Sequence, residues 1–223
     1  MIEIRNVYFS YDKEIVIKGI SLSIGKECIA LIGPNGAGKT TLLKIMAGIY
    51  QPSKGEVLIE GRDIWKLPEK EAIKLRRRVV YVHENPIFLR GSVLDNLAFG
   101  LELRGVSRGD ARTRAIEFMK ELGIADLADK DARSLSAGQA QLLALARALL
   151  VEPSYLLLDE PLANLDWKRR NTVLSMLNEL RDSGKAIAIA THDTLLAVKT
   201  CSKAYIIEDG RVVSEVDPSE ILK

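Results

Sequence analysis

The most specific chemistry in the chain lies in one unbroken stretch, Gly33-Pro34-Asn35-Gly36-Ala37-Gly38-Lys39-Thr40-Thr41. Its spacing is G-x-x-x-x-G-K-[ST], the phosphate-binding P-loop. Gly33, Gly36 and Gly38 let successive backbone N–H groups, including those of Asn35 and Ala37, curl inward as a nest for an anion. Lys39 brings positive charge to the outer phosphates, and the Thr40 hydroxyl suits a Mg²⁺ ion. Thr41 carries the loop into a helix, so a phosphate would sit on that helix's positive end. The pattern predicts a site for a nucleoside triphosphate. Kinases, GTPases and motors all use such a loop, so the loop alone does not choose among them.

A second feature adds hydrolysis. The apolar run Tyr155-Leu156-Leu157-Leu158 ends in Asp159-Glu160. A carboxylate at the end of a buried strand beside a P-loop is placed to hold Mg²⁺, which assigns Asp159 to the metal. Glu160 faces differently and suits a general base for the attacking water. Leu135-Ser136-Ala137-Gly138-Gln139 is a third feature. Ser136 is a helix N-cap, and the small residues after it leave N–H groups accessible. This is either an ordinary capped helix or a second anion site, one addressed to a nucleotide on another subunit.

The elements that must position these groups alternate between strands and helices. Residues 2–31 predict an antiparallel β region, with Ile20-Ser21-Leu22-Ser23-Ile24 alternating as a half-buried strand does. Cys28-Ile29-Ala30-Leu31-Ile32 feeds the P-loop, and residues 41–47 form a helix closed by Gly48. Residues 56–61 and 78–82 read as further strands. From Pro86 to about Val151 the pattern turns helical. Ser92 with Asp95, and Ser107 with Asp110, give capping-box patterns; the second opens a helix with Ala111, Ala115, Phe118 and Leu122 on its apolar face. Residues 142–151 are apolar nearly all round, as in a buried helix. The α/β pattern then returns. Asp166 caps a helix carrying Val173, Leu177 and Leu180, residues 186–190 form a central strand, and Glu208-Asp209-Gly210 turns a hairpin.

Composition narrows the class. A formal charge of +2 on 223 residues gives no nucleic-acid-binding surface. The one basic run, Arg76-Arg77-Arg78, reads as a solvated strand entrance. Cys28 and Cys201 flank apolar runs and read as small packing residues, without disulfide or metal-ligand spacing. The N-terminus is already strand-like, and no stretch reaches the ~20 apolar residues of a membrane span. Any membrane role must come through a partner.

Taken together, the P-loop, Leu135-Ser136-Ala137-Gly138-Gln139, Asp159-Glu160, Asn164-Leu165-Asp166 and Thr191-His192-Asp193 resemble the nucleotide-binding subunit of ABC transporters, over essentially the whole chain. The resemblance implies one α/β domain over residues 1–223. It would comprise a RecA-like P-loop NTPase core, an antiparallel β subdomain and an α-helical subdomain at about 86–151. It implies an ATPase using ATP and Mg²⁺, at the cytoplasmic face of a membrane. Its partners would be transmembrane permease subunits and a second copy packed head to tail. Tyr11 would stack on adenine, with Phe9 as competitor. Ser136, Ala137, Gly138 and Gln139 would reach across the dimer, Asp166 would couple the two sites, and His192 would meet the γ-phosphate. Lys39, Glu160 and His192 would be catalytic, and Thr40, Glu84 and Asp159 would hold the metal.

Three positions depart from the family pattern. Ala137 stands where the signature has a glycine, and Leu142 stands where an arginine is common. Glu84 replaces the glutamine that links Mg²⁺ to the permease. Ile87, Phe88 and Leu89 have no obvious core periodicity; they either dock the permease or pack the helical region. Residues 100–105 and 163–166 are similar to those of oxyanion importers of the tungstate, molybdate or phosphate type. The rival class is a soluble ABC ATPase in a non-transport process, but most of those carry a coiled-coil insert or second cassette.

Overall fold

A computed structural model describes residues 1–222. Two sheets carry the α/β pattern. The first is antiparallel, in the order β2-β1-β4-β5. Its strands are β1 (Ile2–Tyr11), β2 (Glu14–Ile24), β4 (Lys54–Ile59) and β5 (Arg62–Asp63). Between β2 and β4 come β3 (Cys28–Ile32) and α1 (Lys39–Met46). The second sheet has the order β10-β9-β3-β8-β7-β6. It uses β6 (Val79–Val82), β7 (Tyr155–Asp159), β8 (Ala186–Ala190), β9 (Lys203–Glu208) and β10 (Arg211–Val216).

This topology corrects one expectation. Residues 2–24 are antiparallel, but Cys28–Ile32 pairs in parallel with β8 and β9 and belongs to the other sheet. All five of its residues are buried, as are those of β7 and β8. Strands covered on both faces read as continuous apolar runs, so alternation cannot report which sheet they join. The hairpin from β9 to β10 turns at Asp209 and Gly210, both at positive φ.

Seven α-helices are described: α1, α2 (Glu69–Arg76), α3 (Val93–Glu102), α4 (Arg108–Glu121), α5 (Ala137–Leu149), α6 (Trp167–Asp182) and α7 (Thr194–Thr200). The short α2 and α7 carry no sequence signal strong enough to predict them. The basic run is only partly a strand entrance: Arg76 ends α2 with its guanidinium 4.6 Å from the centre of the Trp65 ring, and Arg78 pairs with Glu60. In α4 the buried residues are Ala111, Ala115 and Met119; Phe118 and Leu122 are half-buried. At about 100° per residue all five positions fall within one face of the helix, so it is packing against neighbouring elements that covers Met119 more fully than Phe118.

The chain divides into two compact units. The first comprises Met1–Tyr81, Ser154–Glu160 and Thr172–Lys223, of which Lys223 lies outside the described residues; the second comprises Val82–Pro153 and Pro161–Asn171. In the first unit, Ile29, Leu31, Leu42, Leu43, Leu157 and Ala188 share one core with the inner residues of the antiparallel sheet. In the second, Ser92 caps α3 with a full capping box, and the Asp95 carboxylate also meets Arg112 on α4. Ser107 caps α4 through the Asp110 N–H, while its hydroxyl donates to the Asp110 carboxylate at 2.7 Å.

Candidate nucleotide site

Parallel register gathers the first unit's chemistry at one sheet edge. Ala190 is the common neighbour of Leu31 on one side and Asp159 on the other. The three chain segments that follow, the P-loop, Asp159-Glu160 and Thr191-His192, therefore leave the sheet side by side. Two backbone bonds lock them: Glu160 N donates to Ala190 O at 2.9 Å, and Thr191 N donates to Leu31 O at 3.1 Å. The carboxyl ends of parallel strands are where α/β folds bind ligands.

The loop's glycines have separate reasons. A Cβ on Gly33 would lie 2.0 Å from the Ile207 carbonyl oxygen on β9, so only glycine permits that approach. Gly36 has φ +82° and open space around it, so its conformation is the constraint. Lys39 lies over the loop, with Nζ donating to the carbonyls of Gly33 at 2.7 Å and Pro34 at 2.9 Å. The loop leads straight into α1, with Gly38 at its N-cap in the left-handed conformation. A helix start preceded by such a loop, with a buried ammonium group, fits a polyphosphate.

Glu160 is held from three sides. Thr191 Oγ1 donates to its Oε2 at 2.9 Å, His192 N donates to Oε1 at 3.0 Å, and His192 Nδ1 lies 2.8 Å from the same Oε1. Its backbone φ is +45°, a left-handed conformation that costs a non-glycine residue about 1–2 kcal/mol. Strain of this kind collects where a side chain must be aimed. The imidazole itself is exposed. Asp159 is 2% exposed and accepts from the Tyr81 hydroxyl at 3.0 Å. Burial, then the Asp159 charge, push the Tyr81 phenol far above its ordinary value, so it stays a donor. Neither Tyr81 nor Thr191 stands out by spacing as a site residue; both emerge from cross-strand register.

The hydroxyl of Thr40 and the carboxylate of Asp159 are hard oxygen donors of the sort Mg²⁺ prefers. Among the described residues no group of three or more His, Cys, Asp or Glu side chains forms a metal cage. That suits an ion held by one or two protein oxygens together with substrate phosphates.

Tyr11 is 42% exposed, with its hydroxyl 3.3 Å from Thr41 Oγ1. It meets Phe9 and Tyr50 edge to face, whereas Phe9 is half-buried and stacked on Tyr50. Phe9 is thus engaged in packing, whereas Tyr11 keeps part of its ring exposed.

The second unit assembles the remaining predicted residues. Ser136 caps α5 with a capping box completed by Gln139, whose Oε1 accepts from Ser136 N at 3.1 Å. Gly138 packs so closely on the 163–166 turn that a Cβ would lie 2.9 Å from Asn164 O. Asp166 accepts from Arg169 N at 2.9 Å and pairs with the Arg169 guanidinium at 2.5 Å, which holds its carboxyl below the usual range. Ala137 is the first helical residue, a position that accepts a methyl group. Leu142 is buried in the helix core. Glu84 is exposed in the stretch after β6.

Comparison with known proteins identifies the family. The family model described as ABC transporter matches residues 17–163. The chain belongs to the ABC transporter family. It is 36% identical to the energy-coupling factor transporter ATP-binding protein EcfA of Methanocaldococcus jannaschii, over 99% of this chain and 80% of that protein. It is 38% identical to the spermidine/putrescine import ATP-binding protein PotA of Spiroplasma citri, over 99% of this chain and 63% of that protein. The dimeric ATP-binding cassette MJ0796, solved in a post-hydrolysis state with ADP and Pi, superimposes with a TM-score of 0.88 at 30% identity, covering 98% of this chain and 99% of that one. The ABC chain is thus an ATPase that uses ATP with Mg²⁺, and its fold is the P-loop NTPase fold with added antiparallel β and helical parts.

Proposed function

We propose that this ABC chain hydrolyses ATP to drive import through membrane-spanning subunits carried on separate chains. The observation that carries the reading is Glu160, fixed by Thr191 and His192 at the sheet edge that also launches the P-loop. There it takes a proton from the attacking water, while Lys39 and the loop N–H groups hold the phosphates and His192 contacts the γ-phosphate. Thr40 and Asp159 hold Mg²⁺, which when bound neutralises charge on the transferring phosphoryl group. Tyr11 stacks on the adenine.

Two copies act together, head to tail. The Ser136-Ala137-Gly138-Gln139 helix start serves the nucleotide of the other copy, and Asp166 couples the two sites. The dimeric MJ0796 cassette supports the pairing of two copies. Among the described residues no helix is long and apolar enough to cross a membrane. We place the chain at the cytoplasmic face of a membrane through its permease partners. Ile87 is 82% exposed and Leu89 45% exposed, whereas Phe88 packs under the Arg147 guanidinium. Ile87 and Leu89 are therefore the docking residues, and Phe88 is a support.

Import is favoured by the likeness to PotA, an import ATP-binding protein by name. The cargo class we assign is an oxyanion of the tungstate, molybdate or phosphate type, from the sequence of residues 100–105 and 163–166. The test is reconstitution in vesicles with the permease subunits that co-purify with this chain. Uptake of molybdate, tungstate or phosphate that requires ATP supports the assignment. Uptake of a polyamine instead would refute the cargo class, and ATP-driven efflux would refute import.

A further inference from the structure

The Asp159 carboxylate is nearly sealed from solvent, and a buried charge must be met by donors. Tyr81 meets it, with its phenol O–H on Oδ2 at 3.0 Å. The two residues stand on neighbouring strands, Tyr81 in β6 and Asp159 at the last position of β7. Both strands are tied at their start, where Ser154 N and Tyr155 N each donate to Arg78 O at 3.0 Å. The phenol is thus delivered from a fixed frame. Phenylalanine would occupy the same space in the strand, so packing alone does not call for the oxygen.

We propose that Tyr81 is a positioning residue for the metal-bearing carboxylate. Its hydroxyl holds one oxygen of Asp159 and so sets the orientation of the other toward Mg²⁺. A group that hydrogen-bonds a metal's carboxylate ligand fixes that ligand's orientation, and its loss costs about 10–100-fold in metal affinity. The consequence is specific: Tyr81 governs how much the metal strengthens ATP binding, while ATP binding without metal does not depend on it. This inference rests on the reading of Asp159 as a Mg²⁺ ligand.

The experiment is isothermal titration of ATP into the full chain, once with Mg²⁺ and once with EDTA, for wild type, Tyr81→Phe and Asp159→Asn. The quantity read is the ratio of the two dissociation constants. In Tyr81→Phe the ratio should fall about tenfold with the EDTA value unchanged, and the protein should still melt cooperatively, at a lower midpoint because the buried carboxylate loses a donor. In Asp159→Asn it should fall further. A ratio within twofold of wild type in Tyr81→Phe, with Asp159→Asn impaired, overturns the role of Tyr81 alone. A wild-type ratio in Asp159→Asn overturns the metal reading of Asp159 and this inference with it. Equal weakening of ATP binding in both buffers for Tyr81→Phe would make the hydroxyl structural, which also overturns the proposal.

Discussion

His192 reaches Glu160 twice, through its backbone N–H at 3.0 Å and its ring Nδ1 at 2.8 Å, both on Oε1. Thr191 takes the other oxygen at 2.9 Å. The carboxylate's orientation is therefore set by residues at the end of β8, not by its own strand. A hydrogen bond to a charged group is worth about 1.5–3 kcal/mol. Since about 1.4 kcal/mol is a factor of ten in rate, Thr191→Val should lower kcat at least about tenfold and leave KM for ATP near wild type. Steady-state phosphate release checks this. An unchanged kcat would mean that Glu160 needs no hydroxyl to aim it.

The glycines of the loop should not respond alike. Gly36→Ala meets open space and bears only the left-handed backbone cost, about 1–2 kcal/mol. Gly33→Ala drives a methyl onto the Ile207 carbonyl and should cost about 3 kcal/mol or more, since β9 must move away. Guanidinium unfolding of the two variants measures the difference. Equal losses would contradict the close approach of the loop to β9.

Much of this site is legible in the sequence because it is local. The P-loop, the Asp159-Glu160 strand end and the Ser136 cap each sit within a few residues, and their chemistry follows from spacing. What is not legible depends on register. Whether Cys28–Ile32 joins an antiparallel or a parallel sheet is decided by β8 and β9, more than 150 positions away. The Tyr81–Asp159 contact and the choice of Met119 over Phe118 as a core residue are also products of packing, invisible to periodicity at this resolution of one residue.

Ser92→Ala should cost about 1 kcal/mol, the typical loss for an N-cap. Here it removes the two Ser92 Oγ bonds to Asp95, while the backbone N–H of residue 92 still donates to the Asp95 carboxylate, which also keeps its Arg112 partner. Denaturant unfolding reads it. Because α3 belongs to the second unit, ATP affinity measured with EDTA should not change.

Cys28 and Cys201 are both buried, with their sulfurs 2.8 Å apart. Burial, then the Cys201 contact, push the Cys28 thiol well above its ordinary value of 9.0. The sign follows from the neutral form being favoured in the folded chain. Below the ordinary value both states are protonated and stability is unaffected. As pH rises through it, only the unfolded chain gains by ionising, so stability falls. The guanidinium midpoint should therefore drop between about pH 7.5 and 9.5, and drop less in Cys28→Ala. An equal drop in both proteins would contradict the assignment.

Glu160 acts in the reaction and not in binding. Its most direct test is the ATPase rate of Glu160→Gln set beside ATP affinity in the same protein. A general base supplies about 10²–10⁴-fold. The rate should fall on that scale with the dissociation constant for Mg²⁺-ATP unchanged. A near-wild-type rate in Glu160→Gln would contradict it.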